Sequence, residues 1–216
     1  AVRGDHVPQG SITPTLSSRL MWHLLGWLYR MKGWHIEGRA PALRKCVILG
    51  APHTSNWDFV FFAGGVRELG IRPSFMGKHS LFRWPLRRFM RDMGGMPVDR
   101  SKPGGYVRAV IRTLQEAQDI ALVIAPEGTR SSDGRWRSGF YHIAMGAGVP
   151  IVPAWFDIAR KRGGMGEPIM PTGDYHADMA VILAFYRKAM PDCPRWAVLE
   201  ASLAEEPPQP KSIRHG

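Results

Sequence analysis

Short apolar runs of strand length alternate with segments of helical spacing along the chain. That alternation predicts a single α/β domain, a mixed, mostly parallel sheet flanked by helices, with an N-terminal amphipathic helix. Two further observations narrow the class. A length of 216 residues with 44% apolar and 22% charged composition fits one globular domain and excludes a long disordered protein. The two cysteines, Cys46 and Cys193, stand too far apart for a CxxC redox or zinc signature, and they are too few for a disulfide scaffold.

The elements follow in order. Residues 16–32 crowd Leu20, Trp22, Leu24, Leu25, Trp27 and Leu28 onto most of a helix surface. Such a helix is too apolar to be solvated all round and too short to span a bilayer. It either packs on the domain or lies in a membrane interface, with Trp22, Trp27 and Tyr29 at headgroup depth. The run KCVILGA over 45–51 predicts a buried strand, 56–69 a helix, and 72–76 a second strand ended by Gly77. A helix over 86–93 stops at Gly94-Gly95, and 96–98 is a further short strand. Val107, Val110, Ile111 and Leu114 share one side of a helix over 106–118, and 120–125 is a buried strand. A short helix over 140–147, a strand over 149–155, a weakly extended piece over 165–169 and a helix over 174–188 with Asp174 as N-cap complete the pattern. The resulting division is a flexible N-terminus (1–14), an amphipathic interfacial helix (15–32), the domain that carries the chemistry (33–204) and a flexible, proline-bearing tail (205–216).

No apolar run approaches the roughly 18–20 residues of a spanning helix, and the first ten residues lack the apolar region of a secretory leader. The sequence therefore predicts no transmembrane helix, and few cysteines make the cytosol the default compartment. A net charge of +11 points to an anionic partner or surface. Most of it is local: residues 72–112 hold ten cations against two carboxylates, a balance of +8. The core of that segment, LFRWPLRRFMRD over 81–92, interleaves large apolar residues with arginines and suits a helix lying in the headgroup layer of an anionic membrane. It reads equally as a surface helix with a solvated cationic face. No RNP-type strand, helix-turn-helix or zinc pattern accompanies the charge, so no nucleic acid partner is expected.

The polar residues that can carry chemistry stand just past predicted strands, where α/β sheets usually place their sites. KCVILGA runs into PHTSNWD, which puts His53 in a loop and Asp58 in the next helix's first turn. A carboxylate that accepts from one ring nitrogen fixes the tautomer, leaving the other nitrogen to take a proton from a hydroxyl. The same stretch also reads as a plain turn in which Ser55 or Asn56 caps the helix and His53 merely packs. No GxSxG elbow exists and neither cysteine has a histidine placed beside it, which disfavours covalent catalysis. Two further polar islands come after strands: Asp99, Arg100, Ser101 and Lys102 after GGMPV, and Glu127, Gly128, Thr129 and Arg130 after IALVIAP. Gly128 permits a tight bend, and arginines can fork onto a phosphate.

Four blocks, taken in order, resemble the glycerolipid (lysophospholipid) acyltransferases. His53 to Asp58 looks like that family's HxxxxD block and Gly95 to Arg100 like its second. Pro126 to Arg130 looks like its EGTR block and Val149 to Pro153 like its proline-bounded fourth strand. The resemblance implies transfer of a fatty acyl group from an acyl thioester, either acyl-CoA or acyl carrier protein, to a hydroxyl of a lysophospholipid such as lysophosphatidic acid. It makes His53 the general base and Asp58 its orienting partner. Arg100, Arg130 and Lys78 become ligands of the acceptor's phosphate, and Glu127, Gly128 and Thr129 walls of the acceptor pocket. It calls for no metal and no cofactor beyond the thioester co-substrate. The two aromatic and cationic segments separately point to a protein peripheral on the inner face of a membrane. Other lyso-lipid acceptors, aminolipid or glycolipid, stay open. So does a non-catalytic lipid- or nucleic-acid-binding protein in which the His-Asp pair is incidental. Arg160, Lys161 and Arg162 read as a solvated loop, and His23, His35, His79, His142 and His176 have no pattern partner.

Overall fold

Seven strands form one sheet: β1 (His35–Glu37), β2 (Lys45–Ala51), β3 (Pro73–Lys78), β4 (Gly95–Val98), β5 (Ile120–Ile124), β6 (Ile151–Asp157) and β7 (Arg162–Met165). Their spatial order is β1-β7-β6-β2-β5-β3-β4. The computed structural model describes residues 15–40, 42–53, 57–78, 82–98, 103–128 and 134–205. Every neighbouring pair is parallel except β6 with β7. That exception is a tight reversal in which Asp157 Oδ1 accepts the Arg160 N–H at 2.9 Å and Lys161 takes a left-handed φ of 61°.

The continuous apolar run of β2 reflects its place at the centre of the sheet, buried on both faces. Successive side chains alternate between the faces. Val47, Leu49 and Ala51 join the main core, while Cys46 and Ile48 pack with Val152 on the other side. The main core is closed by α4 (Pro103–Glu116), α5 (Gly139–Ala147), α6 (Tyr175–Ala189) and α7 (Arg195–Ala204), which contribute Leu114, Phe140, Met179, Tyr186 and Trp196 among others. Elsewhere α1 (Leu16–Met31), α2 (Trp57–Glu68) and α3 (Arg87–Asp92) build smaller clusters around Tyr29, Phe61, Leu25 and Met93. A single α/β domain with a mixed, mostly parallel sheet flanked by helices is the expected class.

Differences from expectation are local. The piece expected over 165–169 is β7, shifted to Arg162–Met165, and Ile169 makes an isolated antiparallel bridge with Ile151. Arg162 thus belongs to a strand rather than a loop. Two elements were not anticipated. β1 is three residues long, too short to show a period. α7 starts after Pro194 with no side-chain cap, so it lacks the polar start signal by which helices are found. Glu205, assigned to the tail, ion-pairs with Arg135 at 2.9 Å, whereas 1–14 and 206–216 lie outside the described residues.

α1 begins at Thr15, whose side chain accepts the Ser18 N–H, and its first turn is tied to α3 by Asp92. Asp92 Oδ2 accepts from Ser18 Oγ at 2.5 Å and from Thr15 Oγ1 at 3.2 Å. α1 buries Leu25 and Tyr29 but leaves Leu16, Leu20, Leu24, Trp27 and Met31 exposed; Trp84, just before α3, is 91% exposed. No helix among the described residues is long and apolar enough to cross a membrane.

Asp178 illustrates how α5 and α6 are locked together. Its buried carboxylate accepts the Tyr141 hydroxyl at 2.6 Å, the Thr172 N–H at 2.8 Å and the Thr172 hydroxyl at 3.0 Å. Burial alone would raise its pKa, but the donors outweigh burial and the group sits below its ordinary 3.8. A carboxyl depressed in the folded state adds stability that is present above the unfolded pKa and lost as pH falls through the folded value. Asp178→Asn is expected to cost about 1.5–3 kcal/mol at neutral pH, the range for hydrogen bonds to a charged group. In urea titrations of parent and variant, the gap between midpoints should close in acid below the ordinary carboxylate range.

Candidate active site

β2 and β5 are parallel neighbours with Leu49 opposite Ile124, so the loops after them leave the sheet side by side. From β2 the chain passes through Pro52 to His53. From β5 it passes through Ala125 and Pro126 to Glu127 and Gly128. α2 then places Asp58 in its first turn, where the helix dipole favours a carboxylate. His53 Nδ1 lies 3.0 Å from Asp58 Oδ2; the Asp58 side chain is 3% exposed and that of His53 31%. The buried carboxylate thus takes Nδ1–H, and the remaining nitrogen, Nε2, is the one left for a proton from outside.

Glu127 lies beneath this pair rather than beside it. Its side chain is wholly enclosed, and Oε2 accepts the backbone N–H of His53 at 2.9 Å. Burial raises its pKa; the His53 N–H and the nearby charges of Arg195 and His53 oppose that rise, and Asp58 adds to it. Gly128 turns the chain with a φ of +73°, a conformation that favours glycine, and its N–H donates to the Ala125 carbonyl at 3.1 Å. A Cβ at this position would stand 3.2 Å from Arg137 Nε, so the Arg137 side chain runs close over the turn.

The expected site residues divide three ways. His53, Asp58 and Glu127 are brought together, with Gly128 adjoining. Lys78 ends β3, beyond β5 on the same carboxyl-terminal edge, with only its backbone described. Arg100, Thr129 and Arg130 lie outside the described residues. Of the other candidates, Arg160 pairs with Asp192 at 2.5 Å and Arg162 with Glu37 at 2.7 Å, so their charges are matched locally, and His35 Nδ1 lies 3.2 Å from Glu68 Oε1. Cys46 is buried, which pushes its thiol up to about 11, away from the thiolate a nucleophile needs. A surface hollow lined by Arg44, Lys45, Gln115 and Val149 lies at the opposite, amino-terminal edge of the sheet.

Two residues absent from the sequence reading support the site. Tyr186, fully buried on α6, donates its hydroxyl to the Leu49 carbonyl and lies 3.3 Å from that of Ala154, bridging β2 and β6 just below the site. Arg195, on α7, brings Nη1 to 3.4 Å from Glu127 Oε1. Tyr186 sits in a helical apolar pattern and reads as core, and no motif surrounds Arg195.

A family model described as Acyltransferase matches residues 33–157. The 1-acyl-sn-glycerol-3-phosphate acyltransferase of Limnanthes alba is 28% identical over 147 residues, covering 62% of this chain and 50% of the relative. Its namesake in Salmonella typhimurium is 32% identical over 142 residues, covering 61% and 56%. The chain thus spans about half the length of these curated relatives. Among solved structures, the 1-acyl-sn-glycerophosphate (LPA) acyltransferase PlsC from Thermotoga maritima superposes with a TM-score of 0.54. It is 19% identical and covers 88% of this chain and 79% of its own, which is a likeness of fold.

Proposed function

The chain belongs to the Acyltransferase family, and on that premise we propose that it is an O-acyltransferase that moves a fatty acyl group from an acyl thioester to a hydroxyl of lysophosphatidic acid. The observation that carries this reading is the 3.0 Å contact between His53 Nδ1 and Asp58 Oδ2, with an imidazole still open to solvent at a strand end. A hydroxyl holds its proton too tightly to attack unaided at pH 7, whereas a thioester is already activated. The protein's task is therefore positioning plus one proton transfer.

In this proposal His53 Nε2 takes the hydroxyl proton as the oxygen bonds to the thioester carbonyl carbon. Asp58 stabilises the imidazolium. The tetrahedral intermediate expels the thiolate, which recovers the proton from His53, leaving ester and free thiol. Backbone N–H groups near 127–129, or at the start of α2, serve the oxyanion. Arg100, Arg130 and Lys78 hold the acceptor's phosphate, and Gly128 and Thr129 wall the pocket while the enclosed Glu127 holds the His53 N–H. The donor is acyl-CoA or acyl carrier protein, with no metal or further cofactor in the scheme. The exposed apolar row of α1, Trp84 and the exposed arginines Arg83, Arg87 and Arg91 dock the protein peripherally on an anionic, inner membrane face.

The test is thiol release from acyl-CoA, and separately from acyl carrier protein, with a panel of lyso-phospholipid, lyso-aminolipid and lyso-glycolipid acceptors. Fastest release with lysophosphatidic acid is expected. Release only with another acceptor moves the headgroup assignment, and none with any acceptor or donor removes the acyl-transfer proposal.

A further inference from the structure

Arg195 stands where a helix least favours it. It opens α7, whose N-terminal N–H groups carry partial positive charge and prefer a carboxylate, yet no acidic residue occupies that first turn. α7 has little freedom to move. Trp196 and Leu199 are 2% and 1% exposed in the main core, and Trp196 Nε1 donates to the Met190 carbonyl at 2.9 Å. The helix therefore delivers a guanidinium, its side chain only 24% exposed, to a fixed place beside the enclosed carboxylate of Glu127.

Glu127 thus links two distant parts of the chain. One oxygen takes the His53 N–H at 2.9 Å, and the other lies 3.4 Å from Arg195 Nη1. Neither Glu127 Oε1 nor Arg195 Nη1 makes a hydrogen bond among the described residues, so their relation is one of charge. A carboxylate removed from water is strongly unfavourable without a matching cation.

We propose that Arg195 is a positioning residue for the His53–Asp58 pair and acts through Glu127. Its kinetic consequence rests on the acyltransferase reading; its structural consequence does not. Burial drives Glu127 toward protonation, and the Arg195 charge opposes this. Without that charge, Glu127 takes up a proton or swings toward water. Either change weakens its grip on the His53 N–H, and the imidazole drifts relative to Asp58. Arg195 is also outside the segment 33–157 that matches the family model, so α7 completes a site whose motif residues lie elsewhere.

Arg195→Met, Arg195→Lys and the double variant Arg195→Met with Glu127→Gln test this by steady-state kinetics and by the 1H–15N resonance of the His53 amide. A misplacement of the reacting group by about 1 Å costs on the order of 100-fold. Arg195→Met is expected to lower kcat about 10- to 100-fold with acceptor KM unchanged within about twofold, and to shift the His53 amide upfield. Arg195→Lys should recover most of both. The double variant, which buries a neutral amide instead of an unmatched charge, should exceed Arg195→Met in kcat and also remain folded if the single variant does not.

A folded Arg195→Met protein with parental kcat and an unmoved amide overturns the proposal. So does a raised acceptor KM at parental kcat, which makes Arg195 a substrate ligand, or a double variant as slow as the single one. If the parent transfers no acyl group at all, the functional reading fails, while the amide, which needs no turnover, still decides whether Arg195 governs residue 53.

Discussion

Replacing His53 by alanine is expected to lower kcat by about 10²–10⁴, the usual worth of a positioned general base, with acceptor KM nearly unchanged. The partition follows from the roles proposed for the groups. The imidazole contacts Asp58 and its side chain is 31% exposed, while the proposal assigns the phosphate to separate cations. Removing the ring deletes proton transfer without touching the clamp on the acceptor. Asp58→Asn keeps the ring but replaces the buried acceptor of Nδ1–H with a group that presents either a donor or a weaker acceptor. It should fall in the same direction, since an asparagine stabilises the wrong tautomer and no longer balances the imidazolium. Stopped assays of thiol release under saturating lysophosphatidic acid and acyl-CoA, with circular dichroism confirming the fold, measure both. A folded His53→Ala variant turning over at the parental rate ends the general-base proposal.

The second large effect concerns how α1 is seated. Alanine in place of glycine inside a helix ordinarily stabilises by about 0.5–1 kcal/mol. At Gly64 on α2 that gain is overwhelmed. A Cβ there would come within 2.2 Å of Tyr29 Cγ and 2.6 Å of Tyr29 Cβ, so the root of the side chain, and with it α1, must move. Tyr29 cannot turn aside easily, because its ring packs edge-on to Phe61 and its hydroxyl donates to Glu68 at 2.7 Å. Gly64→Ala is expected to destabilise by roughly 1–3 kcal/mol, as overpacked cores do. Gly26 faces the same helix pair from α1, yet its added Cβ would meet only the end of Arg67, at 3.2 Å from Nη1. That exposed guanidinium can swing away, so Gly26→Ala should stabilise by up to about 1 kcal/mol. Urea midpoints of both variants check the opposite signs. Sedimentation with anionic vesicles at low salt should show the parent and Gly26→Ala pelleting, and Gly64→Ala pelleting less. A parent that stays in the supernatant counts against membrane docking by α1.

The sheet was legible because its central strand is buried on both faces: KCVILGA has no other sensible home. Asp174 announced α6 by its side chain, and Oδ1 does accept the Ala177 N–H at 3.0 Å. β1 and α7 were hidden because one is too short for a pattern and the other begins without a polar cap. His53 and Asp58 were findable because they are five positions apart and one loop brings them together. The burial of Glu127 beneath them was not, since its partners come from β2's exit and from α7. Motif reading places such a residue at the site but does not say which way its carboxylate faces.

The order in which these partners are synthesised has a consequence for the cell. His53 and Glu127 are separated by 74 positions, and Arg195 comes later still, on the most C-terminal helix described. Domains gain their long-range contacts only when the distant segment is available. A nascent chain that has emerged only as far as β6 therefore holds Glu127 without the Arg195 charge. On the proposal for Arg195, residue 53 reaches its final placement only after residue 195 has cleared the ribosome.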